Sequence, residues 1–141
     1  MAKVFRPSSR ESRILSRIES SRERTRRLSI QAIREQAAPM SNAIASKLVE
    51  EHLVETVSKN SLEEQILMTL EEMLHMDDFD IDFKVAPFRN LVSDANIVSL
   101  YVTAFVIETM IDHKDVIDIF GSDDEIYHSI NRQVNKFISV S

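Results

Sequence analysis

The run from Ile97 to Ile111, IVSLYVTAFVIETMI, constrains this chain most, because eleven of its fifteen residues are apolar and no face is made for water. A helix apolar nearly all round is either a core helix or a membrane span. A span takes about 20 apolar residues. This run is shorter, is interrupted by Glu108 and ends in Asp112, His113, Lys114 and Asp115. It reads as the buried central helix, residues 94–113, of a soluble bundle, with no membrane span. Ser93 or Asp94 is the expected cap, since either side chain can accept a hydrogen bond from an unpaired backbone N–H one turn on. Asn96, Ser99 and Thr103 form its most polar stripe, and the two hydroxyls can bond back to carbonyls of the preceding turn.

One glycine and three prolines in 141 residues leave little turn chemistry for a multi-stranded sheet. The fold class read from the sequence is therefore mainly α: a helical bundle around the central helix, one short extended segment at 78–85, and a basic N-terminal helical arm. A hydrophobic content of 43% is enough for a core. The chain has no cysteine, which excludes a disulfide framework and a thiolate metal site.

Charge divides the chain. Residues 1–40 carry ten Lys/Arg and four Glu, a balance of +6, whereas residues 41–141 carry seven Lys/Arg and nineteen Asp/Glu, a balance of −12. A basic arm on an acidic body points to an interaction tail. Pro39 marks the expected boundary, because proline disfavours the helical conformation in the residue before it, giving an arm of 1–40 and a bundle domain of 41–141. No apolar stretch of a secretory signal follows Lys3, and Glu11, Glu19 and Glu23 do not suit a mitochondrial presequence. The expected location is cytoplasmic or within a large assembly.

In the arm, Ser8 and Glu11 form a capping box that starts a helix. Its apolar stripe of Ile14, Ile18, Leu28 and Ala32 is interrupted by Ser21 and Thr25, and Arg22, Arg24, Arg26 and Arg27 crowd the middle. Such a helix buries too little to be stable alone, and needs a partner or remains fluctuating. Val4 and Phe5 add an apolar tip. The run Arg26-Arg27-Leu28-Ser29-Ile30 has the pattern of a basophilic kinase site, where phosphate on Ser29 would subtract about 1.5 to 2 charges from the arm.

Beyond Pro39, Ser41 or Asn42 is the expected cap of a helix reaching Lys59. Ser61 with Glu64 caps a second helix, which ends near Met76 and completes a helical hairpin. Residues 78–85, DFDIDFKV, alternate strictly between charged and apolar side chains, which is a strand period. No obvious strand pairs with it. It reads as an extended connector pressing Phe79, Ile81, Phe83 and Val85 onto the bundle, or as a strand added to another subunit or a partner, or as one paired within the chain. Its aspartates do not make a calcium loop, since Phe83 and Arg89 stand where glycine and glutamate are required, and neither metal nor cofactor is expected. Asp115–Phe120 reads as a short helical turn ended by Gly121 in a left-handed cap. Ser122 and Glu125 form a capping box for a last helix, with Ile126, Ile130, Val134 and Phe137 on the face that packs on the central one.

No constellation for catalysis stands out. His52, His75, His113 and His128 are far apart in sequence, and His75 and His113 suit helix C-termini, where a cation offsets partial negative charge. The adjacent pairs Glu50-Glu51, Glu63-Glu64 and Glu71-Glu72 diverge by about 100° on a helix. There is no glycine-rich phosphate loop and no nucleophile on a strained turn. Tyr101 and the phenylalanines do not alternate with arginines, so a base-stacking platform is unsupported. The sequence thus reads as a non-enzymatic assembly or adaptor protein. It docks on a protein partner or on copies of itself through Phe5, Ile14, Ile18, Arg22, Arg24, Arg26, Arg27, Phe79, Ile81 and Phe83. The alternative is a nucleic-acid-associated regulator whose arginines contact phosphates.

Overall fold

The computed structural model describes the backbone of residues 9–138 and the side chains of 21–138. The fold is mainly α. Helix α1 (Ser9–Glu50) starts where the arm's capping box places it and runs through Pro39, changing direction at Gln36, whose φ of −141° and ψ of 32° are not helical. Pro39 would clash with the carbonyl four residues back in a regular helix. The break at Gln36 puts it in the first turn of the segment that follows, where a missing N–H costs nothing. Neither Ser41 nor Asn42 is a cap. Ser41 is buried within the helix, its hydroxyl donating to the Ala37 carbonyl at 2.7 Å. Ala32 and Ile33 lie in the same core as Met40, Ile44 and Leu48, so packing crosses the charge boundary at residue 40.

The helix expected to reach Lys59 stops at Glu50. Leu53 N–H donates to Leu48 O and His52 N–H to Val49 O, and His52 sits at φ 58°. This is a helix end closed by a left-handed residue, with buried Leu53 against buried Leu48 as its apolar seal. The chain then extends as β1 (Val54–Thr56). Its antiparallel partner is β2 (Val116–Ile119), where a turn of helix was expected. The register pairs Val54 with Ile119, Glu55 with Asp118 and Thr56 with Val116, leaving Ile117 as the extra residue of a bulge. Gly121 is not left-handed. A Cβ there would lie 2.7 Å from Leu53 Cδ2 and 3.0 Å from Ile126 Cγ1, so any larger residue would have to displace the Leu53 side chain.

Helix α2 (Lys59–Leu74) is capped by Ser58, not Ser61, and buries Leu62, Ile66, Leu70 and Met73. The segment 78–85 is not extended: it forms helix α3 (Asp78–Val85). Asp77 Oδ1 accepts from the Asp80 N–H at 2.8 Å, Asp78 and Asp80 occupy the first turn and Lys84 the last, all of which suit a helix dipole. A 3-10 turn, Ala86–Phe88, follows.

The central helix, α4 (Ile97–Glu108), is capped by Asn96 rather than by Ser93 or Asp94, and a 3-10 turn at Met110–Asp112 continues it. Every residue from Ile97 to Ala104, and Val106, is buried. Thr103 bonds back to the Ser99 carbonyl as expected, at 2.6 Å, whereas the Ser99 hydroxyl pairs with Asn131 Oδ1 at 2.7 Å. Helix α5 (Asp123–Asn135) begins in the Ser122–Glu125 capping box and packs on both α1 and α4 through Ile126, Tyr127, Ile130 and Val134. Among the described residues, no helix is long and apolar enough to cross a membrane.

Candidate interaction surface

The Arg-rich stretch of α1 meets the acidic face of α3 through one guanidinium. Asp78 and Asp82 are four residues apart, hence on one face of α3. Arg26 Nη1 donates to Asp82 Oδ1 at 3.0 Å, and its Nη2 lies 3.1 Å from Asp78 Oδ1. Arg89 Nη2 reaches the same Asp82 oxygen at 2.9 Å. The Arg26 side chain is only 23% exposed, against 79% for Asp78 and 46% for Asp82. Water competes for both carboxylates, and such pairs contribute about 0.2 to 1 kcal/mol each.

The neighbouring stripe of α3 is uncovered. Phe79 and Phe83, also four residues apart, are 76% and 74% exposed, while Ile81 and Val85 turn into the core. Alternation in eight residues thus hides two helical pairs, one inside and one outside. Ile81 belongs to the core, which corrects its assignment to a partner-binding surface. Val57, Ile117 and Phe120, on or beside the two-stranded sheet, are further exposed apolar residues that sequence reasoning missed. The signal was the β-branched run around Leu53–Val57, obscured by the helical spacing of the same residues.

A buried polar link ties the arm to the core one turn after Arg26. The Ser29 hydroxyl donates to the Thr25 carbonyl at 2.8 Å and accepts from Asn96 Nδ2 at 2.8 Å. Asn96 Oδ1 caps α4 by accepting from Val98 and Ser99 N–H, and the Asn96 N–H donates to the Tyr127 hydroxyl at 3.0 Å. Burial pushes the Tyr127 phenol above its ordinary range, against the Asn96 hydrogen bond, with Asp94 adding to the rise. Ser29 is wholly buried. In the folded chain a kinase cannot reach it, and the kinase-site pattern is a packing position.

Between Ser21–Arg26 of α1, the segment 89–97 and the end of α5 lies an open cleft of about 990 Å³. Arg22, Arg26, Arg89, Asn131 and Asn135 line it together with Glu23 and Asp94, so donors and acids are mixed. Arg22, Arg24 and Arg27 are exposed on α1. Phe5 and the side chains of Ile14 and Ile18 lie outside the described residues. Of the expected surface, the structure therefore brings together Arg26, Phe79 and Phe83.

Other titratable groups pair both locally and across the fold, as Arg132 Nη2 does with Glu51 Oε1 at 2.9 Å. His128 Nε2 is 3.2 Å from Asp124 Oδ1, and His113 Nδ1 accepts from the Asp115 N–H at 3.1 Å. Tyr101 donates to Met76 Sδ at 3.0 Å, and its phenol is pushed up to about 12 by burial and, secondarily, by Glu72. Among the described residues, no group of three His, Asp or Glu could hold a metal ion. No family model, curated protein or solved structure matches the chain.

Proposed function

We propose that this protein is a non-enzymatic assembly or adaptor protein, which docks on a protein partner or on copies of itself through its Arg-rich helix and the apolar surface beside it. The observation that carries this reading is the Phe79/Phe83 pair, since two neighbouring phenylalanines at 76% and 74% exposure leave a large apolar surface in water. Arg22 and Arg27 are exposed on different sides of α1 and add positive charge suited to charge-steered encounter with an acidic surface. A nucleic-acid-associated regulator is the second reading, favoured by the solvent-facing Arg22, Arg24 and Arg27.

Two measurements separate these readings. Duplex DNA binding is followed across a salt series, and sedimentation is compared for the full chain and for F79A/F83A. The assembly reading expects no duplex binding at about 0.15 M salt and an association that F79A/F83A weakens at least tenfold. Duplex affinity falling with a log–log salt slope near −5, for about six phosphate contacts, replaces it with the regulator reading.

A further inference from the structure

Resting on the assembly reading, we propose that the exposed surface of α3 receives the Arg-rich helix of a second copy of this chain, around residues 9–27, and that two copies exchange these helices reciprocally. The occupant follows from charge and from an arrangement already present within the chain. Around Phe79 and Phe83, five carboxylates, Glu72, Asp77, Asp78, Asp80 and Asp82, face three cations, Arg26, Lys84 and Arg89. The Asp80 side chain is exposed in the first turn of α3, next to Phe79 in sequence. A ligand for this surface carries apolar side chains for the phenylalanines and positive charge for the acids. Residues 9–27 fit that description, with Ile14 and Ile18 four positions apart among Arg10, Arg13, Arg17, Arg22, Arg24 and Arg27.

Arg26 shows the chemistry in miniature, one arm guanidinium spanning Asp78 and Asp82. The chain's own arm leaves the phenylalanines uncovered. Helix α1 is unbroken from Ser9 to the bend at Gln36, so a rise of about 1.5 Å per residue puts Ile18 some 12 Å, and Ile14 some 18 Å, beyond the Arg26 contact. Helix α3, with eight residues, is itself only about 12 Å long. A two-fold related copy supplies the missing helix without bending either. Reciprocity also matters for area: a stable interface buries about 1,200–2,000 Å² in total, and exchange forms the arm-to-α3 contact twice.

The absence of cysteine makes the test direct. Ile18→Cys and Asp80→Cys variants, each keeping both phenylalanines, are mixed and oxidised. The expected result is a cross-linked dimer in the mixture, at least tenfold above either variant alone, falling as salt rises. Adding F79A/F83A to the Asp80→Cys chain should remove it, with the unfolding midpoint of each variant confirming that it is folded. No cross-link above the single variants, or Ile18→Cys linking chiefly to itself, overturns the exchange. A full chain that stays monomeric yet binds another protein through Phe79 and Phe83 overturns it while leaving the assembly reading intact. A monomer that instead binds duplex DNA overturns both.

Discussion

Helices α3 and α4 differ in how much of their surface the fold consumes. Helix α4 is enclosed on every side over its first eight residues, against α1, α2, α3 and α5. Helix α3 gives the core only Ile81 and Val85 and shows Phe79, Phe83 and its acids to water. Enclosing one helix takes up the inner faces of the others. Helix α3 is a short element at the edge, tied to α1 by an ion pair and to α4 by a small apolar stripe.

The sharpest way to break this contrast is matched truncation. Leu100→Ala, in the wholly buried part of α4, should cost about 3 to 4 kcal/mol in urea unfolding, because transfer and cavity terms add. Phe83→Ala on α3 should stay within about 0.5 kcal/mol of the parent. Equal losses at the two sites would mean that α3 is as deeply packed as α4.

The ease with which each helix is read from sequence follows the same difference. Burial on all sides made α4 visible without any periodicity, and local capping chemistry made α5 visible through Ser122 and Glu125. Helix α3 is too short for its period to be distinguished: over eight residues, alternation and i, i+4 pairing select the same positions. The cue that decides is Asp77, a cap followed by two acids in the first turn. The sheet was hidden because β1 and β2 are short and pair across some sixty residues, a non-local event that leaves no local pattern. The Arg26 contact was half legible. Arginine crowding marked α1 as a charged surface, but Asp82 lies 56 residues away, and only the fold brings the two together.

Asn96→Ala probes the start of α4. It removes the cap and leaves the buried Ser29 hydroxyl without its donor, which should cost about 2 to 3 kcal/mol by chemical denaturation. Tyr101 sharpens the contrast through pH. The folded chain keeps the phenol proton up to about 12, whereas the unfolded chain loses it near 10, so the folded state binds more protons in that window. Stability present below pH 10 should therefore fall by about 2 kcal/mol as pH rises through 12, and Tyr101→Phe should flatten the fall in urea midpoints. A smaller effect than these two is expected at the ion pair of the edge. Arg26→Ala should cost about 1 kcal/mol at low salt, and less as salt screens Asp78 and Asp82.

Amide hydrogen exchange on the full chain tests the contrast most directly. If α4 is enclosed and α3 is an edge element, amides of Leu100 to Ala104 should open only with global unfolding, at the free energy given by urea denaturation. Amides of α3 should exchange at least a hundredfold faster through local opening. Equal protection in the two helices, or α4 exchanging before α3, would contradict the account.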